Sequence, residues 1–99
     1  MQDRKRNTFF INRRPLCRPP TSADVDDVVW GTSSQVSEQS GDLGRMAALD
    51  AGYDVTASGV TLDRFCGSGI TATNFAANAV MAGMEDLVVS GGTEMMSLP

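Results

Sequence analysis

Histidine is missing from all 99 residues, and cysteine occurs only twice, at Cys17 and Cys66. Without an imidazole these residues hold no histidine general base, and two cysteines make neither a disulfide framework nor a zinc site. No metal is therefore expected. No apolar run approaches the ~20 residues that cross a bilayer, and no early segment has the apolar centre of a secretory signal. These absences lead us to expect a soluble, intracellular protein without a membrane partner. The stretch "GTSSQVSEQSG" has the glycine and serine of a phosphate loop but not its Gly-Lys-Ser/Thr ending, which argues against nucleotide binding.

What is present is uneven. Hydrophobic residues make up 41% and charged residues 20%, a globular composition with a modest core. Arg4, Lys5, Arg6, Arg13, Arg14 and Arg18 face a single acid, Asp3, in the first eighteen positions, whereas the remainder is strongly acidic. Residues 1–23 thus read as a basic leader of different material. Pro15, Pro19 and Pro20 stop a helix there, and the segment has no clean amphipathic period. An extension without function, a targeting or interaction tail, and a basic binding site all remain open, with nucleic acid not expected as a partner. The cytoplasm is the expected compartment, and the arginines make the mitochondrion the alternative.

From residue 24 onward strands and helices alternate. "DVVWG" is a continuous apolar run, the pattern of a strand buried on both faces. Leu43, Met46, Ala47 and Leu49–Ala51 form an apolar helical stripe, with Gly52 as the stop. "GVTLDRF" reads as a second strand, either with Val60 and Leu62 on one face or buried on both. Ile70, Phe75, Ala76, Ala79, Val80 and Ala82 surround most of the next helix, so that helix is expected to be largely buried until Gly83 ends it. Leu87–Val89 is a third strand, and Met81, Met84, Met95 and Met96 read as flexible core filler, with a partner or acyl surface as the alternative for some of them. The β-α-β-α-β order predicts a mainly parallel sheet with helices on its faces.

In that arrangement Cys66 stands where the second strand hands over to a helix, at the carboxyl end of the sheet, where α/β proteins present reactive groups. The unpaired N–H groups and dipole of a first helical turn favour a thiolate over a thiol. Gly67 and Gly69 leave the approach clear, and Ser68 is suited to the helix cap. A buried structural thiol is the competing reading, because free cysteine often packs as a small hydrophobe.

The segments "DDVVWG", "QVSEQSGDLGRMAAL" and "GVTLDRFCGSGITATNFAANAVMAGMEDLVVSGGTEMMS" resemble the N-terminal half of a thiolase, an acetyl-CoA acetyltransferase or 3-ketoacyl-CoA thiolase. The resemblance implies an incomplete half of a five-layered αβαβα fold, assembled as a homo-oligomer or with a complementing thiolase half. It implies that Cys66 is the acyl-accepting nucleophile, that Gly67, Ser68 and Gly69 support an oxyanion site at the helix start, and that coenzyme A thioesters are substrates without any cofactor. Arg45 matches a packing segment. "GGTEMMS" matches a glycine-rich segment, either a close chain passage or a substrate contact. Thiolases take a histidine and a second cysteine from their C-terminal half, and neither is present in this sequence. Asp63 replaces a more usual asparagine, and the leader stands where a first strand and helix belong, so a central element of the sheet is expected to be missing. The sequence reads as a thiolase fragment truncated at both ends and expected to be inactive as an enzyme alone, or else as a non-catalytic remnant or partner-binding module.

Overall fold

A computed structural model describes residues 2–3, 8–12 and 21–96. Five strands form one sheet: β1 (Gln2–Asp3), β2 (Thr8–Asn12), β3 (Asp27–Gly31), β4 (Ser58–Leu62) and β5 (Leu87–Gly92), in the order β1-β2-β5-β3-β4. β5, β3 and β4 run parallel, with Val29 opposite both Val60 and Ser90. The helices α1 (Leu43–Asp50) and α2 (Ser68–Met81) are the two crossovers.

Alternation along the buried strands divides the core in two. Val28, Leu87 and Val89 face α1, where they meet Ala48 and Ala57. Val29 and Val88 face α2, where they meet Ala72, Ala76 and Val80. Thus "DVVWG" is the middle one of the three parallel strands and is buried on both sides, as its unbroken apolar run predicts. Small residues let the layers approach closely. A Cβ on Gly59 would lie 2.7 Å from Arg45 Cα, so α1 rests almost directly on β4.

The helix ends follow local chemistry. Asp42, with φ of 56°, caps α1 by accepting from Arg45 N at 3.3 Å and also accepts from Thr61 Oγ1 at 2.8 Å. Gly52 and Gly83 follow the two helices with φ of 85° and 78°, conformations that favour glycine. Arg45 donates its guanidinium to the Ala57 and Val55 carbonyls and so ties down the loop before β4, a packing role.

Six expectations are corrected. β4 ends at Leu62, and residues 63–67 turn instead of extending the strand. β4 is also an edge strand and leaves Val60 exposed. α2 is not buried around its circumference: Ile70 is 72% and Phe75 50% exposed, because only the face carrying Ala72, Ala76 and Val80 meets the sheet. In α1 the buried positions are Gly44 and Ala48, while Met46 and Leu49 are exposed. The methionines singled out as core filler are all exposed, since they fall at the end of α2 and in loops outside both core clusters. Finally, the place beside β5 is not empty. Thr8–Asn12, rich in strand-forming residues, pairs antiparallel with it, Phe10 opposite Val89.

Candidate active site

The three parallel strands point their carboxyl ends at one cleft of about 850 Å³. The ends of β3 and β5 form two of its sides, and the β4–α2 turn with Cys66 forms the third. Cys66 is exposed, which removes the buried structural thiol from consideration.

The turn that presents this thiol is built from its neighbours. Phe65 adopts φ of 46°, a left-handed conformation that costs a non-glycine residue roughly 1–2 kcal/mol. Side chains on both flanks hold it there. Asp63 Oδ1 accepts from Phe65 N at 2.8 Å. Ser68, buried beneath the turn, accepts from Arg64 N and donates to the Phe65 carbonyl, each at 2.7 Å. The Asp63 carboxylate is therefore occupied by backbone, and an asparagine carbonyl oxygen would serve the same bond. Gly67 N and Ser68 N bond to the Arg64 and Phe65 carbonyls at 2.9 and 3.1 Å, closing the turn. Their N–H groups are thus engaged within the protein. Gly69 keeps the approach open, with nothing within 4 Å of where its Cβ would sit.

Closeness of strand and helix is obligatory here. A Cβ on Gly31 would lie 2.6 Å from the carbonyl carbon of Ser68, so only glycine lets α2 start directly against the end of β3.

Opposite the thiol, the loops after β3 and β5 are joined by side chains. Glu94 Oε1 accepts from Ser33 Oγ at 2.8 Å and Ser34 N at 3.1 Å, while Oε2 accepts from Gln39 Nε2 at 3.0 Å. The hydroxyl of Ser33 and the amide of Gln39, with Ser34 N, push the Glu94 carboxyl down to about 2. Sequence reasoning reached the glycine-rich segment but missed Glu94 and Gln39. The partners are 55 residues apart, and no local pattern announces such a pair.

Residues 18–99 match the family described as "Thiolase, N-terminal domain". The chain belongs to the thiolase family. It is 47% identical over 73 residues to a 3-oxoadipyl-CoA/3-oxo-5,6-dehydrosuberyl-CoA thiolase of Escherichia coli K12, covering 74% of this chain and 18% of that protein. With a 3-ketoacyl-CoA thiolase of Shewanella oneidensis it shares 43% over 87 residues, 88% of this chain and 22% of the relative. The crystal structure of the Bacillus anthracis acetyl-CoA acetyltransferase superposes with a TM-score of 0.74 at 37% identity, covering 79% of this chain and 20% of the other. The chain thus spans about a fifth of the length of these relatives. The thiolase-like α/β fold expected from the sequence is present.

Of the residues singled out from the sequence, Cys66, Gly67, Ser68 and Gly69 are brought together in one turn at the head of α2. Cys17 lies outside the described residues. Among the described residues no helix is long and apolar enough to cross a membrane.

Proposed function

We propose that this chain supplies the acyl-accepting part of a thiolase site, in which Cys66 takes an acyl group from a coenzyme A thioester. The observation that carries the reading is an exposed thiol in a cleft at the carboxyl ends of three parallel strands, and the sequence resemblance, which implies the family's nucleophile at Cys66, supports it. Sγ attacks the thioester carbonyl, the bond from that carbon to the coenzyme A sulfur breaks, and the thiol proton leaves with coenzyme A. The Cys66 N–H is the oxyanion donor implied by the family. Gly67, Ser68 and Gly69 shape the turn. With no histidine in these residues, the general base comes from outside them. The printed names of the relatives, 3-ketoacyl-CoA thiolases and an acetyl-CoA acetyltransferase, support thioesters as the substrate class.

On this reading coenzyme A is a substrate carrier, and no cofactor takes part. The protein partner is a second thiolase polypeptide, an identical copy or a complementing half that brings the histidine and second cysteine. Neither nucleic acid nor membrane is a partner. We infer a cytoplasmic location, with the mitochondrion as the alternative on account of the arginine-rich leader.

The test uses the two cysteines of one chain. Incubated with acetyl-CoA, the protein is expected to gain one acetyl group at Cys66, about tenfold or more faster than at Cys17, when peptides are analysed by mass spectrometry. The thioester should be lost on adding coenzyme A, and Cys66→Ala should abolish it. Addition of a C-terminal thiolase segment should accelerate it. Equal acetylation of both cysteines, or none in any mixture, would favour the non-catalytic remnant or partner-binding module.

A further inference from the structure

The loops that follow β3 and β5 form the side of the cleft facing Cys66, and loops at such positions ordinarily move independently. Here the backbone ceases to join them early: Thr93 N donates to Gly31 O at 3.1 Å. Thr93 is also the last residue held by Thr32, whose Oγ1 donates to its carbonyl at 2.8 Å. Beyond it, among the described residues, Glu94 and Gln39 make the hydrogen bonds that join the two loops.

Gln39 is only 4% exposed, so its amide is costly unless fully bonded. It is bonded at both ends. Nε2 donates to Ser34 O at 2.8 Å and to Glu94 Oε2, and Oε1 accepts from Met95 N at 2.8 Å. Glu94 in turn grips Ser33 and Ser34, which line the cleft together with Cys66. A satisfied buried amide joined to a carboxylate selects one loop arrangement, and hydrogen bonds to an ionised group are about twice as strong as neutral ones.

We propose that Glu94 and Gln39 are positioning residues, a polar brace that fixes the cleft side opposite Cys66 so that an acyl-CoA is presented to the sulfur in one orientation. The brace rests on the acyl-transfer reading for its purpose, though not for its existence. It needs no contact between Glu94 and the reacting atoms. It also gives the glycine-rich segment a role other than chain passage or substrate contact. Because Glu94 is held well below the usual carboxylate range, the brace stays charged throughout the neutral region.

The experiment compares wild type, Glu94→Ala and Glu94→Gln by three measurements. These are acetyl transfer from acetyl-CoA to Cys66, alkylation of Cys66 by iodoacetamide, and amide hydrogen exchange by NMR. In Glu94→Ala we expect transfer at low acetyl-CoA to fall about tenfold, while alkylation by the small reagent stays within about twofold. Exchange at Ser34 and Met95 should accelerate with α2 unaffected. Glu94→Gln keeps an acceptor for Ser33 and Ser34 but turns an amide N–H toward Gln39, and it should fall between the two. Unchanged exchange at Ser34 and Met95 would overturn the brace. So would exchange that accelerates equally in α2, or transfer that is unaltered although the loops have loosened. If wild type takes no acetyl group even with a C-terminal thiolase segment added, the acyl-transfer reading fails, and the exchange data still decide whether Glu94 holds the loops.

Discussion

Glu85 shows how a single residue sets a pH dependence. It sits half-buried before β5, where removal from water first, and then the nearby Asp27 and Asp26, push its carboxyl up from 4.5 to about 7. Asp26 is already engaged, accepting from Asp86 N at 2.7 Å and Leu87 N at 3.2 Å, and Asp27 accepts from Val28 N at 2.9 Å. Between pH 4.5 and about 7 the folded chain therefore holds a proton that the unfolded chain has released. Stability contributed by this proton is complete below that window and is lost as pH rises through it. Glu94 has the opposite sign, with its contribution lost only as pH falls from 4.5 toward about 2, and Asp54 is likewise lowered. The windows do not overlap. Glu85→Gln should flatten the decline in melting temperature between pH 5 and 7 and melt above wild type at pH 8. An unchanged slope would contradict the assignment. At this scale Cys66 was legible, since a thiol between a β-branched run and Gly-Ser-Gly is a local signal. Glu85, Gln39 and Glu94 were not, because their environments are made by residues far away in sequence.

At the scale of elements, the contact between β3 and α2 decides where the thiol stands. Ala72 and Ala76 are fully buried and allow the helix to lie close to the sheet. Gly31 lets its first residue touch the strand. In Gly31→Ala the new methyl would meet backbone atoms Ser68 C and O, both 2.6 Å away, and backbone cannot rotate aside. We expect a loss of about 1–3 kcal/mol in urea unfolding, the usual range for overpacking, together with slower acetylation of Cys66. Gly69→Ala is the control. Its methyl would find no atom within 4 Å, so stability should hold or rise. Equal losses in both variants would place the cause in glycine as such and not in the close approach. The parallel strands and both helices were readable from unbroken apolar runs and from the 3.6-residue period. The end of β4 was not, because Asp63 and Phe65 continue the strand-like pattern while Ser68, further on, bends the backbone. The antiparallel β2 was hidden behind the leader's charge, which speaks of solvent contact and says nothing of backbone pairing.

Among the described residues the core is assembled from small side chains, and that leaves several large apolar ones outside. The core clusters contain mainly valine and alanine, whereas Phe65 and Met96 are 81% and 91% exposed, and Ile70 and Phe75 on α2 are 72% and 50% exposed. The apolar period of α2 was therefore read correctly as a residue pattern and wrongly as burial within these residues. Periodicity reports what a helix can bury, and the sheet covers only one side. Apolar side chains left exposed along a helix favour association in water. Sedimentation of wild type should show concentration-dependent association. Replacing Ile70 and Phe75 together by aspartate should reduce it while shifting the melting temperature by no more than about 2 °C, because neither side chain belongs to the buried clusters. A large fall in melting temperature would mean that the outer face of α2 contributes to the fold of this chain itself. Undiminished association would move the contact to another surface, with the edge strand β4 and its exposed Val60 the next to be tested by a lysine at that position.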